Sequence, residues 1–195
     1  AIMNPSSEEM MAAVYAYNVL TNRDRQSTKY IERYANRVPA SAALVQAVQN
    51  AQTILLYAAF GGEAGLAGFA AEAARRGKVL AYPVCGENCS LTAAVPGPDG
   101  WETGLYGIRT PVLERSVLLE PEQLDLVLVP CTAFDADCFR VGMGKGYYDR
   151  YLPRCTKAAK IGIALEVQRV AHAAVDEHDQ RLDAFVTERG LYTWT

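Results

Sequence analysis

The pattern of apolar and polar positions changes about fifty residues into the chain. Before that point apolar residues recur at helical spacing, and Ser6 with Glu9 three residues later fits a capping box. Further helices are predicted over about 24–35 and from about Pro39, since proline is well tolerated early in a helix. Beyond residue 50 the chain consists of short apolar runs separated by glycine and proline, which is typical of buried strands.

Five apolar runs predict strands, and they cover residues 53–59, 79–83, 124–130, 161–165 and 184–187, the last of these being the final strand. An alanine-rich stretch ending at Arg76 separates the first two and predicts a helix, so this unit is a βαβ crossover. We expect the strand at 161–165 to lie beside that at 124–130. This pairing would return the carboxy-terminal segment to the same edge of the sheet.

The segments between these runs are shorter and more polar. Glycine and proline punctuate residues 85–110 and predict short antiparallel strands with a hairpin. Pro121 opens a short helical turn, and another helix is predicted from about Gly146 to Pro153. The fold class is therefore α/β: a single domain over residues 3–195, with a mixed, mostly parallel sheet flanked by helices and a helical N-terminal segment. Residues 1–2 are expected to be a cloning remnant.

Composition narrows the class of protein. The chain has 195 residues, 50% of them hydrophobic, which is enough for a buried core without disulfide or metal staples. Its net charge of −3 offers no overall attraction to nucleic acid, and no apolar run reaches the roughly 18–20 residues of a membrane helix. The 5 cysteines form no C-x-x-C pair, which favours a reducing compartment. We expect a soluble cytoplasmic protein, a monomer or weak homodimer, without nucleic-acid or membrane partners.

The candidate chemistry is concentrated between Arg140 and Arg150. Three glycines alternate at positions 142, 144 and 146, directly before a predicted helix. Glycines allow consecutive backbone N–H groups to converge on phosphate oxygens, and a helix N-terminus adds positive potential there. Lys145 adds a mobile cation, Arg140 a planar fork of donors, and Asp149 a carboxylate that can hold magnesium. The spacing matches neither the Walker loop nor the dinucleotide-binding pattern, so a glycine-rich turn with a solvated lysine is the alternative.

The loop from Gly142 to Asp149 closely resembles the signature of the 5-formyltetrahydrofolate cyclo-ligases, also called 5,10-methenyltetrahydrofolate synthetases. The resemblance extends from about Thr53 to Thr187. Residues 54–57 and 60–63 resemble the strand and turn that line the family's folate pocket. Residues 106–108 with Pro111 resemble the segment between the two pocket walls. Residues 177–179, Asp183 and 186–188 resemble the family's acidic carboxy-terminal segment.

This resemblance implies ATP-dependent closure of 5-formyltetrahydrofolate to 5,10-methenyltetrahydrofolate, with release of ADP and phosphate. It implies that Lys145, Arg140 and Tyr147 are catalytic and that Asp149 and Asp179 hold magnesium. ATP and the reacting end of the folate would be surrounded by Arg140, Gly142, Met143, Gly144, Lys145, Gly146, Tyr147 and Tyr148. Glu63 would bind the donor-rich edge of the pterin, and the folate pocket would be lined by Tyr57, Ala58, Tyr106, Pro130, Cys131 and Tyr147.

Simpler roles exist for the acidic residues. The simpler role of Asp149 is an ion pair with Arg150 or Lys145, and surface acids usually do no more than this. Asp179 fits a solvated acidic face, and Glu63 fits the first turn of a helix, where the macrodipole favours a carboxylate. Their positions relative to the glycine loop favour the functional roles.

The chain also departs from the family pattern. The family's first helix usually carries a lysine and, four residues later, an arginine, and those places fall near Ser6 and Met10. The first basic residue of this chain is Arg23. Each lost charge-assisted hydrogen bond to a phosphate weakens the binding free energy of ATP by about 1.5–3 kcal/mol, unless a basic residue on the next turn replaces it. In addition, Cys131-Thr132 stands where the family commonly has glycine after the proline, which would narrow the pocket.

These departures leave two alternatives to the cyclo-ligase. One is a diverged, non-catalytic relative that binds a folate or nucleotide. The other is an ATP-dependent ligase or kinase acting on a different small heterocyclic acid. The retained Lys145, Asp149 and Asp179 favour an enzyme, because a binding protein has less need of two magnesium carboxylates.

Overall fold

A computed structural model describes residues 46–104, 107–187 and 189–194. The helices predicted before residue 46 lie outside these residues, and residues 46–50 are helical. Helix α1 spans Ala67–Arg75 and helix α2 spans Tyr147–Tyr151. The strands are β1 Thr53–Leu55, β2 Val79–Cys85, β3 Leu91–Pro96, β4 Trp101–Thr103, β5 Arg109–Pro111, β6 Ser116–Leu119, β7 Leu126–Val129, β8 Ala133–Phe134, β9 Arg140–Val141, β10 Ala159–Ile163, β11 Ala184–Thr187 and β12 Gly190–Thr193.

Short 3-10 turns join several of these elements. Within the described residues they are Glu87–Cys89, Leu113–Arg115, Pro121–Gln123, Leu152–Arg154 and Glu166–Gln168. No helix among the described residues is long and apolar enough to cross a membrane.

Eight strands form one sheet in the order β12-β11-β10-β7-β1-β2-β3-β6. The pairs β1–β2, β1–β7, β7–β10 and β10–β11 are parallel. The pairs at the two ends, β2–β3, β3–β6 and β11–β12, are antiparallel. The mixed, mostly parallel sheet predicted from the sequence is therefore confirmed, and so are the βαβ unit and the pairing of β10 with β7. Strands β4–β5 and β8–β9 form two separate ribbons.

The sheet carries an apolar core on each face. All four residues of β7 are buried, as expected for a central parallel strand covered on both sides. One core packs Phe69 and Ala73, which lie four residues apart on α1, against the sheet. The opposite core contains Phe134 and Leu152, from the segments that follow β7 and α2. Burial on both faces holds the central strands rigidly and fixes where their ends lie.

Several elements differ from the sequence predictions, and strands β6, β8 and β9 were not predicted at all. The apolar run 53–59 forms a strand only as far as Leu55, because the chain then leaves the sheet to form a wall of the site described below. The prediction that 184–187 is the last strand was wrong, because β12 follows and pairs antiparallel with β11. Strand β12 is held by tertiary contacts: Leu191 is buried, and the ring of Tyr192 lies 5.6 Å from that of Phe134.

The close packing of β10 against β11 generates a stability prediction. Gly162 pairs with Phe185, and a Cβ at position 162 would overlap the Phe185 ring, which is stacked 4.5 Å from Phe134. We expect Gly162→Ala to lower the free energy of unfolding by about 1–3 kcal/mol, measured by urea denaturation. Gly62→Ala is the control, since a Cβ there meets nothing within 4 Å. Equal stability of the two variants would contradict this account of the packing.

Candidate active site

The candidate site lies where the chain leaves two neighbouring strands in opposite directions. Strand β1 leads to β2, β3 and β6 on one side, and β7 leads to β10, β11 and β12 on the other. In open α/β sheets, ligands bind in the crevice outside the carboxyl ends of strands at such a switch point. Tyr57 and Ala58 follow β1, and Pro130 and Cys131 follow β7. Four of the predicted pocket residues therefore lie at this crevice.

Arg140 joins the glycine loop to the wall after β7. Its Nε donates a hydrogen bond to the Pro130 carbonyl over 3.0 Å, and its guanidinium lies 5.2 Å from the centre of the Tyr148 ring. The guanidinium lies close to the backbone of Gly142, where a Cβ would be 2.7 Å from Arg140 Nη2. A side chain at position 142 would therefore require the end of the arginine to shift.

Glu63 lies in the turn between β1 and α1. The Phe60 N–H donates a hydrogen bond to Glu63 Oε2 over 2.9 Å, and the other carboxylate oxygen has no hydrogen-bond partner among the described residues. Burial raises the pKa of Glu63, while the Phe60 hydrogen bond and the positive charge of Arg140 oppose that shift. Glu63 and Arg140 are thus close enough to interact electrostatically, and one carboxylate oxygen is available to a ligand.

Two tyrosines in the crevice remain protonated. The Tyr57 hydroxyl donates a hydrogen bond to the Ala64 carbonyl over 2.6 Å, and burial, reinforced by the charge of Glu63, raises its pKa well above the ordinary value. Burial also raises the pKa of Tyr148, although the charge of Arg140 opposes this shift. These phenols therefore line the crevice as neutral groups.

The glycine loop itself is open to solvent. Gly144 and Gly146 have positive φ values of 83° and 68°, which only glycine adopts easily. Met143, Gly144 and Lys145 are exposed, whereas Tyr147 is half-buried. Arg150 Nη1 donates a hydrogen bond to the Lys145 carbonyl over 3.3 Å. Separately, no ion pair joins the exposed Lys145 ammonium to a carboxylate of the described residues.

The carboxy-terminal acidic segment returns to helix α2. The Gln180 N–H donates a hydrogen bond to Asp149 Oδ1 over 3.2 Å. The Asp176 N–H donates to Asp179 Oδ2 over 2.8 Å, and Asp179 is half-buried. Asp149 and Asp179 thus lie on two segments joined by one hydrogen bond. The described residues contain no group of three or more histidine, cysteine or acidic side chains able to hold a metal, so any ion here would need ligands from elsewhere.

Cys131 is a buried thiol in the wall of the crevice. Burial raises its pKa to about 12; the charge of Arg140 opposes the shift and that of Glu63 adds to it. A neutral thiol is a poor nucleophile, so Cys131 acts as a wall residue.

Sequence reasoning missed Gln168. Its Nε2 donates a hydrogen bond to the Cys131 carbonyl over 2.8 Å, and its Oε1 accepts one from the Leu165 N–H over 2.8 Å. Gln168 thus joins the end of β10 to the wall that follows β7. The predicted strand at 161–165 placed this residue near the same sheet edge, but nothing in the local sequence indicated its partner.

Some predicted features lie outside the described residues. They include Tyr106 and the N-terminal positions near Ser6 and Met10 where the family's basic residues were expected. Arg23 lies there too. The effect of the missing N-terminal cations therefore stays a prediction.

The fold and the site together define an α/β protein with a glycine-rich loop beside a ligand crevice at the sheet's switch point. Residues 15–188 match the model of the 5-formyltetrahydrofolate cyclo-ligase family. The chain belongs to this family.

Individual relatives agree with this assignment. The chain is 44% identical over 70 residues to a 5-formyltetrahydrofolate cyclo-ligase of Mycoplasma pneumoniae, covering 35% of this chain and 42% of the relative. It is 36% identical over 89 residues to one of Escherichia coli K12, covering 45% of this chain and 49% of the relative. The chain thus aligns over less than half the length of these curated relatives. A 5,10-methenyltetrahydrofolate synthetase from Aquifex aeolicus has a similar structure, with a TM-score of 0.63, 26% identity and coverage of 95% of this chain and 92% of that one.

A protection experiment tests the environment of Cys131. Because the thiolate is the reactive form and burial raises the pKa of Cys131 to about 12, we expect iodoacetamide at about pH 8 to leave it unmodified in the folded protein. The pKa of Cys85 is also raised, by partial burial and by neighbouring Cys89, but the reagent can reach this exposed thiol, so it should be alkylated faster than Cys131 under the same conditions. Peptide mass spectrometry reports both sites, and urea-unfolded protein is the control in which both should react. Equal labelling of the two cysteines in the folded protein would contradict the buried position of Cys131.

Proposed function

We propose that this protein catalyses the ATP-dependent cyclisation of 5-formyltetrahydrofolate to 5,10-methenyltetrahydrofolate, with release of ADP and phosphate. The observation that carries the proposal is the meeting of Glu63, Arg140 and the glycine loop at the β1–β7 switch point, in a chain that belongs to the cyclo-ligase family. The matched relatives are named as enzymes, which favours catalysis over a non-catalytic binding protein. A cytoplasmic location and a monomer or weak homodimer stay predictions.

The folate would bind between the walls that follow β1 and β7. Glu63 has one carboxylate oxygen without a partner among the described residues, and a pterin edge supplies N–H donors that suit it. Tyr57, Ala58, Pro130 and Cys131 supply the mostly apolar walls, and Tyr106 is predicted to complete them. This arrangement would point the formyl group towards the glycine loop.

The glycine loop would bind the phosphates of ATP. The backbone of residues 142–146 offers N–H groups, Lys145 offers an exposed ammonium, and the guanidinium of Arg140 lies between the loop and the folate wall. Tyr147 and Tyr148 would border the reacting atoms. Phosphoryl transfer is catalysed mainly by positioning and by stabilising charge on the transferred group, so Arg140 and Lys145 would carry the main catalytic effect.

The reaction then needs no protein nucleophile. The formyl oxygen attacks the γ-phosphorus, and the bond to the ADP oxygen breaks. N10 of the same folate attacks the formyl carbon; the carbon–oxygen bond then breaks, phosphate leaves, and the N10 proton is lost to solvent. Attack within one bound molecule gains effective molarity. The protonated state of Cys131 agrees with this scheme, because no thiolate is required.

Asp149 and Asp179 would hold the magnesium ion. Each has one carboxylate oxygen engaged by a backbone N–H, from Gln180 and Asp176, and the other oxygen carries no hydrogen bond from the described residues. Magnesium is usually bound by one or two carboxylates together with substrate phosphates and water, so two such groups fit the ion. When bound, the ion would neutralise charge on the phosphates. The two aspartates would fix its position beside the glycine loop.

The proposed reaction is tested by following the absorbance of the methenyl product with and without ATP and magnesium. We expect product only when both are present. Binding of 5-formyltetrahydrofolate without product would overturn the proposal in favour of the non-catalytic relative. ATP hydrolysis or phosphorylation with another heterocyclic acid, but not with this folate, would instead favour the other ligase or kinase.

Lys145→Ala is expected to lower kcat by about 10²-fold, because the γ-phosphoryl group loses a charge-stabilising donor. The matched control is Lys157→Ala. Lys157 forms an ion pair with Asp125 over 3.1 Å. Asp125 directly precedes β7, so this pair lies at the amino end of the strand, away from the candidate site at its carboxyl end. Steady-state kinetics should show little change for this control. A Lys145→Ala variant with nearly full kcat would mean that the loop is only structural.

Asp149→Asn and Asp179→Asn are expected to raise the magnesium concentration needed for half-maximal activity by about tenfold or more, since an amide is a weaker ligand for a hard cation. Magnesium titration of the initial rate measures this shift. Glu177→Gln is the control, because the Glu177 side chain is 86% exposed on the same acidic segment. An unchanged magnesium requirement in Asp179→Asn would assign that residue to a solvated acidic face.

A further inference from the structure

The acidic segment 176–180 forms no helix or strand of its own. One of its hydrogen bonds stays within the segment, from the Asp176 N–H to Asp179 Oδ2 over 2.8 Å. The segment reaches helix α2 through the Gln180 N–H, which donates to Asp149 Oδ1 over 3.2 Å. The position of Asp179 relative to Asp149 therefore depends on what holds the chain that follows this segment.

Arg181 follows the acidic segment directly and lies over two aromatic rings. Its guanidinium carbon is 4.5 Å from the centre of the Phe139 ring and 4.2 Å from the centre of the Trp194 ring. Phe139 directly precedes Arg140, and Trp194 directly follows β12. We call Phe139, Arg181 and Trp194 the aromatic clasp. Because the face of an aromatic ring attracts a cation and arginine stays charged, the clasp links the acidic segment to two other parts of the fold.

Hydrogen bonds fix the backbone beside the clasp. Trp194 Nε1 donates to the Leu182 carbonyl over 2.8 Å, and the Leu182 N–H donates to the Cys138 carbonyl over 3.0 Å. Leu182 is buried, and the Asp183 N–H donates to a carbonyl of β10 over 2.9 Å. Arg181 thus lies where the anchored chain meets the acidic segment.

The contacts of Arg181 favour a positioning role over direct contact with phosphate. Both rings lie against the guanidinium itself, which is the part of the side chain that would bind an anion. Phe139 is half-buried, and its N–H donates a hydrogen bond to Oδ1 of the buried Asp135 over 3.2 Å, so this side of the clasp is fixed. The direction in which the acidic segment leaves the fold is therefore set at Arg181.

We propose that Arg181 is a positioning residue for the magnesium site, and that the aromatic clasp holds Asp179 beside Asp149. The inference rests on the proposed function, in which these two aspartates bind the ion. Without the clasp, the ion itself would have to order the acidic segment, so its affinity would fall by as much as the clasp stabilises that order. Arg181 acts through Asp179, so the groups that bind the substrates would be unchanged.

Terbium luminescence tests this role without relying on catalysis. Tb³⁺ is a hard cation that binds carboxylates, and nearby tyrosines such as Tyr147 and Tyr148 sensitise its emission. The full chain is titrated with Tb³⁺ alone, and the signal that Mg²⁺ displaces and Asp149→Asn weakens identifies the site. We expect Arg181→Ala to raise the midpoint of this titration by about fivefold, the effect of losing an exposed cation–π contact. Arg181→Lys should recover part of the affinity, since it keeps the charge but loses the planar group.

Trp194→Ala tests the clasp from its other side. Trp194 is 41% exposed, so this variant keeps the inference testable if Arg181→Ala does not fold. If both residues act through the clasp, the double variant should weaken Tb³⁺ binding by less than the product of the two single effects. Arg189→Ala is the matched control, because it removes the same charge from an exposed residue in the turn between β11 and β12, outside the clasp. It should leave the titration unchanged.

Steady-state kinetics separates positioning from direct contact with the nucleotide. Arg181→Ala should raise the magnesium concentration needed for half-maximal activity by about fivefold, and kcat at saturating magnesium should stay close to the wild-type value. A higher KM for ATP at saturating magnesium would overturn the inference, because Arg181 would then contact the nucleotide itself.

The outcomes distinguish this inference from the proposed function. If the wild type forms the methenyl product but Arg181→Ala and Trp194→Ala bind Tb³⁺ as the wild type does, the positioning role is overturned and the proposed reaction stands. A wild type without a Tb³⁺ signal that Mg²⁺ displaces would also overturn it, because there would be no ion site to position. If the wild type binds Tb³⁺ in a way that depends on the clasp but forms no product, the proposed reaction fails and the positioning role stands.

Discussion

The hydrogen bond from Arg140 to the Pro130 carbonyl is the contact on which the arrangement of the site depends. It joins the glycine loop to the wall that follows β7, and it holds the guanidinium over the Tyr148 ring and within electrostatic range of Glu63. A side chain at position 142 would require the end of the Arg140 guanidinium to shift, because its Cβ would lie 2.7 Å from Nη2. One cation thus links the loop predicted to bind phosphate and the pocket predicted to bind folate, the two parts of the site between which the phosphoryl group would move in the proposed reaction.

The rest of the fold holds this contact in place. Burial of β7 on both faces fixes where Pro130 and Cys131 emerge, and Gln168 ties Cys131 to the end of β10. Gln180 returns the acidic segment to Asp149. Burial keeps the phenols and thiol of the crevice neutral, so the charge available to a ligand comes from a few groups at its rim. Such an arrangement suits a reaction in which the protein positions substrates and stabilises charge.

The parts of the fold that the sequence predicted are those with a strong local signal. The run 124–130 is apolar except for Asp125 and has the length typical of a buried strand, and the alanine-rich stretch between two such runs indicates a crossover helix. Strand β12 was missed because only part of Gly190–Thr193 is buried, and its contacts are with β11 and Phe134, far away in the sequence. The ribbon of β8 and β9 was missed as well. Each of its strands has only two residues, which is too short to show the alternation of apolar and polar residues that predicts a strand.

The same division applies to the site. The sequence by itself determined the glycine loop, because the conformational freedom of alternating glycines beside Arg140 and Lys145 is a local property of the backbone. It also placed the predicted pocket residues that follow β1 and β7 at the ends of parallel strands. Only the tertiary structure decided that Gln168 reaches Cys131, that Gln180 meets Asp149, and that Arg181 lies over the rings of Phe139 and Trp194. The physical reason is range. Backbone conformation and apolar periodicity act between neighbours in the chain, whereas these contacts depend on the order and register of strands that the core brings together.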